Sequence, residues 1–171
     1  MVYQLNEFAE DIRRTLKANP GPDGQQQVRS FVSRALKDEA FVQEHLLDWP
    51  DSSKMRKILY EDPDLGFCIC GHYYRKPFIG KPHDHGQAWA IYGQAVGSTE
   101  MTDWTIVQKG EGEKPTRVEL SGVYVLQPGM AHLYHVGDVH SPRTTEETRL
   151  IRIESSNLDL MKRSNIKANQ T

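Results

Sequence analysis

Cysteine is scarce: the 171 residues contain two, Cys68 and Cys70. At i and i+2 on a strand their α-carbons would stand roughly 6.5–7 Å apart, a poor distance for a disulfide. The sequence therefore predicts reduced thiols and a cytoplasmic protein, not a disulfide-stapled secreted one. An excess of charge of one sign is also missing, with 21 Lys and Arg against 23 Asp and Glu. That balance argues against nucleic acid and against an anionic membrane as partners. No apolar run approaches the roughly 20 residues of a membrane-spanning helix. Near the N-terminus Glu7, Glu10 and Asp11 interrupt what a signal peptide would keep apolar. What is present is a globular balance, 37% hydrophobic and 26% charged, at a length suited to one domain with a real core.

The pattern changes once along the chain. Over residues 1–50 apolar side chains recur at helical spacing: Leu5, Phe8, Ile12 and Leu16, then Val28, Phe31, Val32, Ala35 and Leu36, then Phe41, Val42, Leu46 and Leu47. Asn19-Pro20-Gly21-Pro22 separates the first two runs, and Trp49-Pro50 ends the third. These helices are expected to cap a sheet. Over residues 55–155 short strands alternate with turns. The expected strands are Arg56–Tyr60, Gly66–Tyr74, Ala88–Tyr92, Gln94–Val107, Thr116–Leu120, Tyr124–Leu126, Leu133–Val136 and Arg149–Glu154. About eight short strands at near-even spacing predict a mainly β sandwich or barrel. Residues 156–171 are expected to form one helical turn and then fray. The basic triplet Lys54, Arg56 and Lys57 reads most simply as a protected edge strand.

Two of the seven histidines form His83-Asp84-His85. Were this segment a strand, both imidazoles would share a face and could reach one ion. Downstream, Gly129 is followed after five residues by His135-Val136-Gly137-Asp138-Val139-His140. The two segments resemble the paired motifs of the cupins. The second motif, Gly, five residues, Pro-x-Gly-x-x-His, is matched with His135 in place of proline. The first, His-x-His, three or four residues, Glu, six residues, Gly, is matched by His83, His85 and Gly97, with Ala90 where the glutamate belongs. The position of the first motif's leading glycine holds Pro77. The resemblance implies a cupin double-stranded β-helix, a jelly-roll barrel with the N-terminal helices packed on it. It implies a divalent metal on His83, His85 and His140. Gly129-Met130-Ala131-His132 also reads Gly-x-x-His, so His132 stands as the alternative third ligand.

Without the carboxylate, three neutral imidazoles leave the ion's charge uncompensated. Such a centre favours an anionic substrate that brings its own ligand, such as a thiolate, enolate or carboxylate. In this respect the chain resembles the cysteine dioxygenase family of thiol dioxygenases. Phe67 to His85 aligns with that family without a gap, and the resemblance runs from about Arg56 to Asp159. It implies a non-haem iron(II) dioxygenase whose partners are a small-molecule substrate and O2. Nickel or zinc would be carried over from a host on purification. By resemblance, His72 and Tyr74 line the substrate pocket. Lys57, with Arg56 beside it, falls at the position of the arginine that binds the substrate carboxylate. The family's catalytic His and Tyr fall on Arg152 and Glu154, and the cysteine that some members cross-link falls on Ala90. Arg152 is therefore expected to bind a substrate carboxylate, Glu154 to exchange a proton, and Trp89 to wall the pocket. Cupins often pair through barrel edges, which leaves a homodimer open. Two other functions fit the same motifs: a non-redox metal cupin acting as lyase or isomerase, and a small-molecule-binding cupin without turnover.

Overall fold

The computed structural model describes residues 3–49 and 55–169. Lys54 of the basic triplet and Pro50 lie outside them. The helical region forms α1 (Leu5–Ala18), α2 (Pro22–Leu36) and the short α3 (Glu39–Val42), which runs on into a π-helical turn, Gln43–Leu47. Pro22 opens α2, where its missing N–H would have had no partner.

Ten strands follow: β1 (Arg56–Glu61), β2 (Cys68–Tyr74), β3 (Phe78–Ile79), β4 (Ala90–Val96), β5 (Thr99–Gln108), β6 (Thr116–Leu126), β7 (Ala131–Tyr134), β8 (Val139–Thr144), β9 (Thr148–Glu154) and β10 (Ile166–Ala168). They form two five-stranded sheets, ordered β1-β2-β9-β4-β7 and β10-β6-β5-β8-β3. All pairings are antiparallel except β10 with β6. The architecture is a mainly β double-stranded β-helix, the expected jelly-roll barrel, with the N-terminal helices on one sheet.

Both faces of the first sheet are covered, and this is why β2 and β9 are buried along nearly their whole length. On the outer face Ile69, Ile91, Ile151 and Ile153 pack with Phe8, Ile12, Val28, Val32, Phe41 and Leu46 of the helical region. Contact is close at Gly93, where a Cβ would stand 2.5 Å from Val32 and 2.9 Å from Ile151 and Leu36. On the inner face Tyr74, Ala90, Tyr92 and Leu150 meet Met101, Leu126 and Tyr134. Alternation along the strands sends Cys68, Cys70, His72, Arg152 and Glu154 to the same inner side. Both cysteines are buried free thiols.

Several expected boundaries move. The long strand expected from Gln94 to Val107 is broken at Gly97, whose φ of +68 and close approach to the Glu147 carbonyl (2.4 Å from a built Cβ) suit only glycine. The two strands expected between Thr116 and Leu126 are one, β6. Strand β8 was not anticipated, because Pro142 sits inside it. The proline supplies only an acceptor there, and its carbonyl takes the Gly80 N–H at 2.8 Å. The C-terminal region does form one turn, a 3-10 helix at Leu158–Leu160, but it does not fray after it. It returns to pair as β10, and the Ser164 N–H donates to the Asp84 carboxylate at 3.0 Å.

Candidate metal centre

His83 and His85 do not lie on a regular strand, contrary to the expectation. His83 forms an isolated bridge with His140 of β8, each backbone N–H donating to the other's carbonyl at 3.0 Å. This reciprocal pair fixes the first and third histidines side by side, although 57 positions separate them in the chain. His85 follows in a tight turn. The Asp84 carboxylate accepts the Gly86 N–H (3.2 Å) as well as that of Ser164, and Gly86 adopts a φ of +62. The turn thus carries His85 inward with its neighbours.

One ligand atom from each of His83, His85 and His140 lies within 4.8 Å of the others, the one such cluster of His, Cys, Asp or Glu among the described residues. The hydrogen bonding fits a cation. His83 Nδ1 is 2.9 Å from the Lys81 carbonyl, which only accepts, so Nδ1 carries the proton and Nε2 is left with a lone pair. The Nε2 atoms of His85 and His140 stand 2.8 and 3.2 Å from one hydroxyl, that of Tyr92. The hydroxyl can bond both rings by donating to one and accepting from the other, but the Nδ1 of each is then buried without a partner, so the pair is incomplete as it stands and a cation would engage what the hydroxyl leaves over.

His132, the alternative ligand, is elsewhere. It stacks on Tyr124 at 4.9 Å and lies against Tyr134 at 4.6 Å. Tyr134 in turn stacks on His140 at 3.9 Å and stands between them. His135 is exposed at the barrel rim.

Burial holds the imidazoles neutral. It lowers His83 to about 4 and His85 to about 3, the latter helped by His83, and it pushes His140 and the non-ligand His72 well below the usual range. In the unfolded chain the same groups take a proton below about pH 6.5. The metal-free protein should therefore keep its full stability above about pH 6.5 and lose it as the pH falls toward the folded values. The loss is up to about 1.4 kcal/mol per pH unit for each such histidine. Melting temperatures at pH 7 and pH 5, without metal, check this; equal values would contradict it.

Beside His83 opens a cavity of about 330 Å³, lined also by His72, Tyr74, Phe78 and the basic side chains of Arg56, Lys81, Arg152 and Arg163. Of the residues expected at the site, His72, Tyr74 and Arg152 are brought here. Lys57 is not: it is exposed and pairs with Gly71, one register step from the inward pair Arg56 and His72. Trp89 packs instead in the core beneath the helices. Glu154 is 1% exposed and bound by Arg56, with Nη2 2.6 Å from its Oε2, while Arg56 Nη1 reaches Asp159 at 2.7 Å.

Arg152 has no such partner. It is 8% exposed, donates from Nη2 to the Tyr74 hydroxyl at 2.9 Å, and lies 4.0 Å over the Tyr92 ring. Its Nε is buried without a hydrogen bond, and no carboxylate forms an ion pair with it among the described residues. A guanidinium buried in this state is costly unless an anion completes it.

Two residues here were missed from sequence. Arg163 belongs to the tail, and nothing local marks it. Tyr92 carried a signal: it lies two positions after Ala90 on one strand and so shares the inner face with it.

The chain matches no protein-family model and no curated protein sequence. Among solved structures it is similar to KdgF from Halomonas sp., with a TM-score of 0.41 and 23% identity over 58% of this chain and 74% of that one. It is similar to a cupin-2 domain protein from Shewanella frigidimarina NCIMB 400, with a TM-score of 0.41 and 14% identity over 57% and 76%. A protein with a double-stranded β-helix domain from Klebsiella pneumoniae subsp. pneumoniae MGH 78578 matches at a TM-score of 0.47 and 13% identity over 69% and 84%. The solved structures to which this chain is similar thus include cupin-domain proteins, and its own strand order gives it the architecture of a double-stranded β-helix.

Proposed function

We propose that this protein is a non-haem iron(II) dioxygenase of a small anionic substrate, related to the thiol dioxygenases. The observation that carries the reading is one cavity lined both by His83 of the neutral three-histidine cluster and by Arg152, a buried arginine with no carboxylate in ion-pair contact among the described residues. His83, His85 and His140 would hold the metal. Bound iron(II) would supply the redox chemistry between O2 and a substrate that chelates it. The protein's own groups bind and orient. Arg152 takes the substrate's anionic end, and Tyr74, whose hydroxyl accepts from Arg152, keeps the guanidinium aimed. Arg163 and Lys81 add positive charge at the cavity wall. Glu154 is held by Arg56 and acts through it, shaping the wall rather than exchanging protons with substrate.

O2 uptake by iron-loaded protein against a panel of thiols, 2-aminophenols, enols and hydroxy acids tests the reading. Uptake coupled to loss of one panel member supports it, and no uptake with any member counts against it. With the substrate in hand, Arg152→Met should raise KM about a hundredfold, since a buried charge-assisted contact contributes on the order of 2–3 kcal/mol. The same substitution should leave the melting temperature of the ligand-free protein unchanged or raise it, because it removes an uncompensated buried charge. An unchanged KM would place the anion elsewhere.

A second reading draws on the Tyr92 hydroxyl beside the triad. There the ion acts as a Lewis acid, and a tyrosine moves the proton in a lyase or isomerase reaction. Turnover by the zinc or nickel protein under argon would favour it.

A further inference from the structure

We infer that the Tyr92 hydroxyl is the fourth protein donor of the His83–His85–His140 centre, so that a metal there is held by three imidazoles and one phenol oxygen. This rests on the reading of the triad as a metal site, and the experiment below separates the two.

The distances carry the inference. Donors about 2.1 Å from one ion stand roughly 3.0–3.4 Å from each other in octahedral or tetrahedral arrangements. The Tyr92 oxygen is 2.8 Å from His85 Nε2 and 3.2 Å from His140 Nε2. The second distance falls within that range and the first lies about 0.2 Å below it, so a small outward shift would make the oxygen a neighbouring ligand to both. These two nitrogens are its hydrogen-bond partners among the described residues, so nothing outside the cluster draws the oxygen away from it. The other nearby phenols are committed: Tyr74 to Arg152, and Tyr134 to the Tyr124 hydroxyl at 2.5 Å.

Packing keeps the oxygen there. Tyr92 is 1% exposed on the inner face of β4. Its ring meets that of His140 edge-on at 5.4 Å and that of Tyr134 at 4.9 Å, under the Arg152 guanidinium. The sequence makes chemical sense of the placement as well. Ala90 stands where the cupin motif carries its glutamate, and Tyr92, one step on along the same face, returns to the set an oxygen donor that is a neutral phenol until a cation displaces its proton.

On ligation to iron(III) the phenol O–H breaks, the proton leaves to solvent, and an iron–oxygen bond forms without net electron transfer. An iron(III)–phenolate pair absorbs visible light by ligand-to-metal charge transfer, which imidazole ligands alone do not produce. The test is titration of the metal-free protein with iron(III) nitrilotriacetate. It is followed by desalting, iron analysis, visible absorption and resonance Raman spectroscopy. Wild type is expected to bind one equivalent and to show the band with phenolate ring modes. Tyr92→Phe, folded by its melting curve, should keep iron at reduced affinity and lose the band, while Tyr74→Phe and Tyr134→Phe keep it. If Tyr92→Phe binds no iron, persistence of the band in both other variants assigns it to Tyr92, and its loss in either overturns the inference. Iron bound by wild type without the band, or a band that survives in Tyr92→Phe, also overturns the inference and leaves the histidine site standing. Failure of wild type to bind iron overturns both.

Discussion

In His140→Ala protein, metal retained after desalting is expected to fall from about one equivalent to background. The loss of affinity should exceed the 10- to 100-fold that follows removal of an outer-shell partner. His140 is the test of choice because two independent features converge on it. Its backbone pairs with that of His83, and its ring packs between Tyr134 and the other two histidines. The backbone pairing survives truncation to alanine, so His83 stays in place and the barrel stays folded. What is lost is one lone pair. Circular dichroism and a melting curve establish the fold, and metal analysis after loading with iron, zinc or nickel gives the answer. His132→Ala should retain metal, since its ring is separated from the cluster by Tyr134. Undiminished binding in His140→Ala would remove the centre described above.

The second large effect is on stability. Glu154→Ala should destabilise the metal-free protein by about 3 kcal/mol, because it leaves the charge of Arg56 without its buried partner. For a chain of this size that corresponds to a fall in melting temperature of roughly 6–12 °C. The Arg56 side chain is 17% exposed and keeps Asp159 and Asn157 as further acceptors, which places the expected cost at the low end for a buried pair. Glu154 also accepts the Leu158 N–H at 3.3 Å, so the substitution should loosen the turn that starts the C-terminal region. Cys70, whose thiol burial pushes up and the Glu154 charge pushes further, should become easier to ionise in the variant. A variant that melts with wild type but fails in turnover would return Glu154 to the role of proton carrier.

How far the site could be read in advance varies by residue. The motif spacing pointed to His83, His85 and His140 and gave no ground for the geometry that joins them. The bridge between His83 and His140 depends on β8, whose internal proline concealed it. His72, Tyr74 and Arg152 were placed by the family resemblance, and the structure puts them on one inner face of β2 and β9. Lys57, placed by the same resemblance, lies one register step off the inward face, and Trp89, expected at the pocket for its nearness to the histidines in sequence, packs beneath the helices. A single position along a strand turns a side chain to the opposite face, and sequence does not disclose the register. Arg152 and Glu154 looked like a pair two residues apart on one strand. The fold gives the glutamate to Arg56, across the sheet on β1 and nearly a hundred positions away, and leaves Arg152 with the Tyr74 hydroxyl and no carboxylate in ion-pair contact among the described residues.

Local pattern was enough for the class of fold, the order of helices before strands, and the identity of the imidazoles. Each depends on periodicity and on which atoms can bind a cation, and both are properties of neighbouring residues. Pairing across the barrel settled the rest: which acid neutralises which base, which tyrosine oxygen meets the histidines, and how the tail closes over the loop that carries His85. Those contacts form between segments far apart in the chain. Their partners are chosen by strand register and by burial, which exist only after the sheets have closed.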